Sequence, residues 1–540
     1  MRLPRSSGIL LHPTSLPGRW GIGDLGAEAF KFVDFLSDAG QSLWQILPLG
    51  PTGYGDSPYQ CFSAFAGNPL LVSLERLVED GLLTERDLGA PDLPQDHVDY
   101  GAVIDFKLPL LELSFERLQS RASPAHAAAF SEFCAAQAGW LDDYALFMAI
   151  KQEHDGASWD LWQPDIATRQ PEALQRLSRA LARQVMLQKY LQYLFFSQWH
   201  QVKGYAHEHG IRIIGDAPIF VAYDSADVWA KPHLFYLDDE CHPTVVAGVP
   251  PDYFSEMGQL WGNPLYRWDR MAETGYAWWI DRVKMTLDMV DIVRLDHFRG
   301  FEAYWEVPAD EETAINGRWV PGPGAALFEA LERALGDLPI IAEDLGVITP
   351  EVEALRDQFH LPGMVVLQFA FDDDARNPYL PHNYSRNCVV YTGTHDNDTT
   401  LGWFWSLDHA ERETVRCYLG RGGSDIAWDL WRLALASVAD VSIAPLQDVL
   451  RLGTAARQNM PGKLGGNWSW RFCAEALTPE LAGGIRLLTA TYGRAPVSEE
   501  SPTALAQSSA EDAANLVNPG KRVINGEGES DGNDCIGWGG

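Results

Sequence analysis

"DIVRLDHFRG", residues 291–300, decides how the chain is read. Ile292 and Val293 are apolar and β-branched, yet Arg294, Asp296, His297 and Arg299 follow in quick succession. Side chains on a strand alternate between faces, so Arg294 and Asp296 share one side, and His297 and Arg299 should face elsewhere if the strand continues. A core-seeking strand that ends in charge fits a parallel sheet, whose carboxyl edge carries function while its body is buried.

Seven other runs share this form: "GILLHPTS" from Gly8, "SLWQILPLG" from Ser42, "IRIIGDAPIF" from Ile211, "PIIAEDLG" from Pro339, "MVVLQFAF" from Met364, "CVVYTGTHD" from Cys388 and "VSIAPLQDVL" from Val441. Helical patterns lie between many of them. Asp24 is placed to cap a helix whose Leu25, Ala29, Phe32 and Leu36 share a face, with Gly40 ending it. "AALFEALERALG" places Leu327, Phe328, Leu331 and Leu335 on one side and stops at Gly336. Strands alternating with helices imply parallel pairing through helical crossovers, and eight of them predict an α/β fold, a closed (β/α)8 TIM barrel.

Two intervals are too long for simple crossovers. Residues 70–190 read as an inserted, mainly helical subdomain, and 220–267, crowded with Tyr, Trp, Gly and Pro, as a lid region over the active face. The barrel with these insertions is expected over 1–493. Residues 494–540, rich in Ser, Gly, Asn and acid, are expected to be a disordered tail with no catalytic role.

At 540 residues and 46% hydrophobic, the chain can bury a large core. Acidic residues outnumber basic ones 74 to 41, a formal charge of −33 that repels nucleic acid and anionic lipid. No apolar stretch has the length of a membrane span and the amino terminus does not read as a signal peptide, so a cytoplasmic protein is expected. The seven cysteines are scattered and read as reduced, mostly packing residues. Of the 20 tryptophans, Trp20, Trp261, Trp403 and Trp468 stand beside loop residues and suit a ligand with flat apolar faces and a polar rim, such as a sugar ring.

The expected strands end, in order, with His12, Asp56 in a following loop, Asp216, Arg294 with Asp296 and His297, Glu343 with Asp344, and His395 with Asp396. A barrel brings these ends together, and converging carboxylates are costly unless they are used. Three carboxylates with His and Arg suit glycosidic chemistry: one attacks or stabilises the anomeric carbon, and another, kept protonated, serves the leaving oxygen. Arg294 would set its charge beside Asp296, or merely fix strand geometry as a buried ion pair. Metal-assisted hydrolysis through His12, Asp216, Asp296, His395 and Asp396 is a rival reading, disfavoured because two arginines adjoin the supposed ligands. A non-catalytic glucan-binding protein is another.

The motifs "GILLHPTSLPG", "WQILPLGPTGYGDSPYQ", "GDAPIFVAYDSADVW", "GVPPDYFSEMGQLWGNPLY", "VRLDHFRGF", "IAEDLG", "GTHDNDT" and "GNWSWR" resemble the 4-α-glucanotransferases of the amylomaltase or disproportionating type, within the α-amylase clan. The resemblance runs from Gly8 to about Gly493. It implies Asp296 as nucleophile, Glu343 as acid/base and Asp396 as the third acid gripping sugar hydroxyls. Arg294, His395 and Asp216 fall on helpers at the scissile sugar; Tyr59, Gln259 and Trp261 on positions lining glucan subsites; Tyr54 on a second glucan site; and Tyr253 and Phe254 on a loop arching over the cleft. It implies α-1,4-glucans as donor and acceptor, a retaining double displacement, and no cofactor or metal. An α-glucan hydrolase of the amylase type remains the alternative activity.

Overall fold

All eight expected strands form. In the computed structural model, which describes residues 3–121, 124–251, 255–463 and 465–496, they are β1 (Ser6–Leu10), β2 (Leu43–Gln45), β3 (Arg212–Pro218), β4 (Ile292–Asp296), β5 (Ile340–Ala342), β6 (Gly363–Val366), β7 (Cys388–Tyr391) and β8 (Val441–Pro445). They pair in parallel in the order β6-β7-β8-β1-β2-β3-β4-β5, the sheet of a (β/α)8 barrel with helical insertions. The seam between β5 and β6 is drawn together differently from the other pairs. Ala342 N–H donates to the Pro362 carbonyl at 2.9 Å, and the Asp344 carboxylate accepts the Met364 N–H at 2.7 Å while pairing with Arg356 at 2.5 Å.

The period-two pattern sorts each strand's residues into two cores. Leu10, Leu43, Ile214, Ile292, Ile341, Met364, Val389 and Ile443 fill the barrel interior, contributed by successive strands. Val293 and Leu295, the alternate residues of β4, join the outer core beneath the helices. The interior is therefore packed rather than hollow, and only its carboxyl end is left for chemistry.

Between β2 and β3 the chain is mostly helical, through Tyr100–Arg121, Pro124–Ala136, Ala138–Glu153, Pro171–Ala180 and Ala182–Glu208. The long excursion after β3 is not a simple loop. Val245–Val249 and Gln259–Pro264 enter a four-stranded antiparallel sheet, completed by Ala303–Pro308 and Arg318–Pro321 from the connection after β4. Arg494, 1% exposed, fastens the far end of the fold to its start, donating to the Ser6 carbonyl at 2.9 Å and to Leu435 at 2.8 Å.

Some local expectations need correction. The first helix is Ala27–Asp38 with Gly26 at its N-cap; Asp24 instead accepts the Gly26 N–H in a tight turn, 3.8 Å from the buried Lys107 ammonium. Trp20 is a core residue, bonded to Glu75 and stacked on Phe106, and Trp403 lies in the helix Thr400–Ser406 against Phe371. The six described cysteines are all free, with Cys417 and Cys473 exposed; Cys535 falls outside the described residues. Among the described residues no helix is long and apolar enough to cross a membrane. The expected tail lies outside the described residues from 497 onward.

Candidate active site

Register places the first layer of the site. Asp216 on β3 stands opposite Arg294 on β4, and Pro218 opposite Asp296, so Asp216, Arg294 and Asp296 share the inward face above Ile214 and Ile292. Arg294, 4% exposed, donates Nη1 to Asp216 at 2.7 Å and stands 2.9 Å from Asp296 Oδ1; its Nε points at Met364 Sδ. Both readings of Arg294 therefore hold, since it is a buried ion pair and it sets a positive charge beside Asp296. Tyr59 Oη donates to the same Asp216 oxygen, Oδ2, at 2.7 Å. Burial raises the Asp216 carboxyl, against the pull of Arg294, and raises the Tyr59 hydroxyl, with Asp216 reinforcing it; burial works against the Arg294 charge, but Asp216 and Asp296 outweigh it and keep the guanidinium protonated.

Glu343, just past β5, continues the wall on the strand next to β4. Its Oε2 accepts the His297 N–H at 2.6 Å and its Oε1 the Leu345 N–H at 2.9 Å. Burial is the largest influence on its carboxyl, Arg294 and the two N–H bonds oppose it, Asp296 adds to it, and the outcome is about 7. A carboxyl poised there carries a proton at neutral pH and can give it up.

The third wall follows β7. His395 Nε2 stands 3.3 Å from Asp396 Oδ2, and Asn459 donates to Asp396 Oδ1 at 2.6 Å. Asp396 keeps 45% of its side chain open to the mouth. Enclosure by the walls raises its carboxyl, but His395, Asn459 and Arg294 reverse this and bring it to about 2. His395 stacks on Tyr59 at 5.1 Å and 16°, and Trp468 leans on both rings at 5.7 and 5.9 Å. Of the four tryptophans singled out for sugar contact, Trp261 and Trp468 are the two that reach the site.

His297, expected to be structural and to point away, is brought in. The strand ends at Asp296 and His297 takes φ +51°, which breaks the alternation and turns its amide to Glu343. Its ring meets Trp261 edge to face at 4.8 Å, and Trp261 Nε1 donates to Gln259 at 3.2 Å. Asp344 leaves the site for the β5–β6 seam, and Asp56 is half-buried outside the cluster, where its charge is felt by Tyr100. His12 lies beside His395, its ring pushed down to about 3 by burial and by that neighbour. Tyr253, Phe254 and the Tyr54 side chain fall outside what is described. Asn459 carries no strand-end signal, and His297, though counted among the strand ends, was placed outside the site by continuing the strand's alternation past the point where it stops.

A parallel barrel that gathers four carboxylates, an arginine and a histidine at its carboxyl end, walled by tryptophan and tyrosine, has the arrangement of an enzyme working on glycosidic bonds. The family model described as 4-alpha-glucanotransferase matches residues 11–476, and the chain belongs to that family. It is 56% identical over 495 residues to the 4-alpha-glucanotransferase of Synechocystis sp., covering 91% of this chain and 98% of that one. It is 53% identical over 496 residues to that of Thermus thermophilus, covering 90% and 99%. Among solved structures, the amylomaltase from Streptococcus agalactiae in complex with acarbose superposes with a TM-score of 0.89 at 40% identity, over 91% of this chain and all of that one.

Proposed function

We propose that the chain is a 4-α-glucanotransferase that moves segments of α-1,4-glucan from a donor to the 4-hydroxyl of glucose or another α-glucan. The observation that carries this is the pairing of Asp296, beside the fixed charge of Arg294, with Glu343, whose carboxyl is held near 7. One group is suited to attack and the other to hold a proton. In the first step Glu343 gives its proton to the bridging oxygen as an Asp296 oxygen bonds the anomeric carbon and the C1–O bond breaks. In the second, the acceptor's 4-hydroxyl passes its proton to Glu343, its oxygen bonds C1, and the bond to Asp296 breaks. Two inversions retain the α configuration.

Asp396 grips the hydroxyls of the reacting sugar, with His395 and Asn459 keeping it an acceptor. Asp216 and Tyr59 line the same ring, and Gln259 and Trp261 line the side of the acceptor. The segment 220–267, to which Tyr253 and Phe254 belong, serves as the lid that excludes water, so transfer wins over hydrolysis through the effective concentration of a held acceptor. Residues 1–493, closed by the Arg494 anchor, make up the catalytic unit, and the residues beyond Arg494 contribute nothing to turnover. The six free thiols support a reducing, cytoplasmic setting.

Incubation with maltotriose and no added cofactor tests the reading. Glucose together with a ladder of longer glucans is the expected product pattern. Glucose and maltose alone would make the enzyme a hydrolase, and no change would make it a binding protein.

A further inference from the structure

Arg299, three residues past Asp296, is 7% exposed, and among the described residues it forms no ion pair. Burial works against its charge and outweighs Glu302, the acid that favours it, so the groups that Arg299 does touch are held firmly. Its guanidinium lies 3.7 Å from the centre of the Trp319 ring, and its Nη1 donates to the Val347 carbonyl. Trp319 sits on Arg318–Pro321 of the antiparallel sheet and meets Trp305 edge to face at 5.2 Å. Trp305 is itself fixed by donating Nε1 to the Ala314 carbonyl at 2.8 Å. Val347 lies in the loop that begins at Glu343.

Despite this bracing, Trp319 is 37% exposed and Val347 59% exposed. The Trp319 ring and the Val347 backbone, joined through one buried arginine, therefore hold two apolar side chains with free surface at the rim on the Glu343 side. Loose surface residues would pay no such cation burial. The chain's charge of −33 disfavours an anionic occupant, whereas a sugar ring offers an uncharged apolar face to an indole. On the reading given above, the glucan that leaves or arrives does so past Glu343, so a long chain emerging from the mouth runs towards this rim.

We propose that Trp319 and Val347, braced by Arg299, form an outer platform for α-glucan chains long enough to extend beyond the mouth on the acid/base side. The platform rests on the transferase reading and adds length preference to it. Short substrates end before reaching it, and long ones gain a contact.

The test compares kcat/KM for maltoheptaose and maltotriose in the wild type, Trp319→Ala, Trp319→Phe and Val347→Ser. The heptaose-to-triose ratio is expected to fall about three- to tenfold in Trp319→Ala, the scale of one lost aromatic contact. It should recover in part with Phe and fall less in Val347→Ser, which alters only an exposed side chain and stands in if the tryptophan variant does not fold. An unchanged ratio, or equal loss on both substrates, overturns the platform. So does sedimentation showing that Trp319→Ala converts a wild-type dimer to monomer, which would make the patch a self-association face. Should the wild type leave maltotriose untouched, the transferase reading fails by itself; calorimetric affinities for the same two sugars then decide the platform by the same ratio.

Discussion

Glu343 is the residue whose setting has the most direct kinetic consequence. Its carboxyl is raised to about 7, so the proton needed by the leaving oxygen is present below that pH and lost as pH rises through it. The alkaline limb of kcat/KM for maltotriose is therefore expected near pH 7, and a profile flat to pH 9 would remove Glu343 as the donor. Glu343→Gln should lower turnover of maltotriose by about 10²–10⁴-fold. An α-maltosyl fluoride donor, whose fluoride leaves without a proton, should still release a first equivalent of fluoride; absence of that burst would mean the substitution had damaged more than proton transfer. His297 contributes to this poise through its backbone, since its N–H and that of Leu345 supply the two hydrogen bonds to the carboxylate. A side-chain inventory cannot see that contribution.

Among the elements, the β5–β6 seam is where the barrel depends on side chains. Arg356 neutralises Asp344, which holds the Met364 amide and whose side chain is 6% exposed. Arg356→Ala leaves that carboxylate buried and unpaired, at a cost of about 3 kcal/mol, the low end for a broken buried pair because Arg356 itself is partly exposed. Urea denaturation should show the loss, and a midpoint equal to wild type would mean the seam closes without the pair. The barrel strands were legible because each combines a short apolar run with a polar end, a pattern that a buried parallel strand imposes. The antiparallel sheet was not. Its strands "QLWGNP" and "RWVP" carry exposed residues on both faces, and the pairing that joins the two halves of the sheet, Val245–Val249 with Ala303–Pro308, runs across β4. The site was legible where alternation held, as at Arg294 and Asp296. It failed at His297, whose positive φ ends the alternation, and at Asn459, which reaches Asp396 from a segment 63 residues away.

At the scale of the whole molecule, the balance between transfer and hydrolysis depends on elements that meet only when folded. Trp261 comes from the antiparallel sheet yet stands on His297, the residue after Asp296. Trp261→Ala is expected to raise the ratio of hydrolysis to transfer by opening the acceptor side to water, with the amount of maltotriose consumed and the reducing ends formed measured together. An unchanged product ratio would free this segment of the role. Phe254→Ala, in the same 220–267 segment, should act in the same direction.

The first strand pairs with the last, Ser6 beside Val441 and Leu10 beside Pro445, and Arg494 ties the end of the fold to Ser6. During synthesis, β1 emerges long before β8 exists. At cellular translation speeds the gap lasts roughly 20–90 s, during which one side of β1 has no permanent neighbour. Nascent chains stalled before residue 441 should therefore engage holding chaperones, and release should coincide with the emergence of the segment carrying Arg494. The ring of strands that shapes the mouth is thus also a timing constraint on how the protein is made.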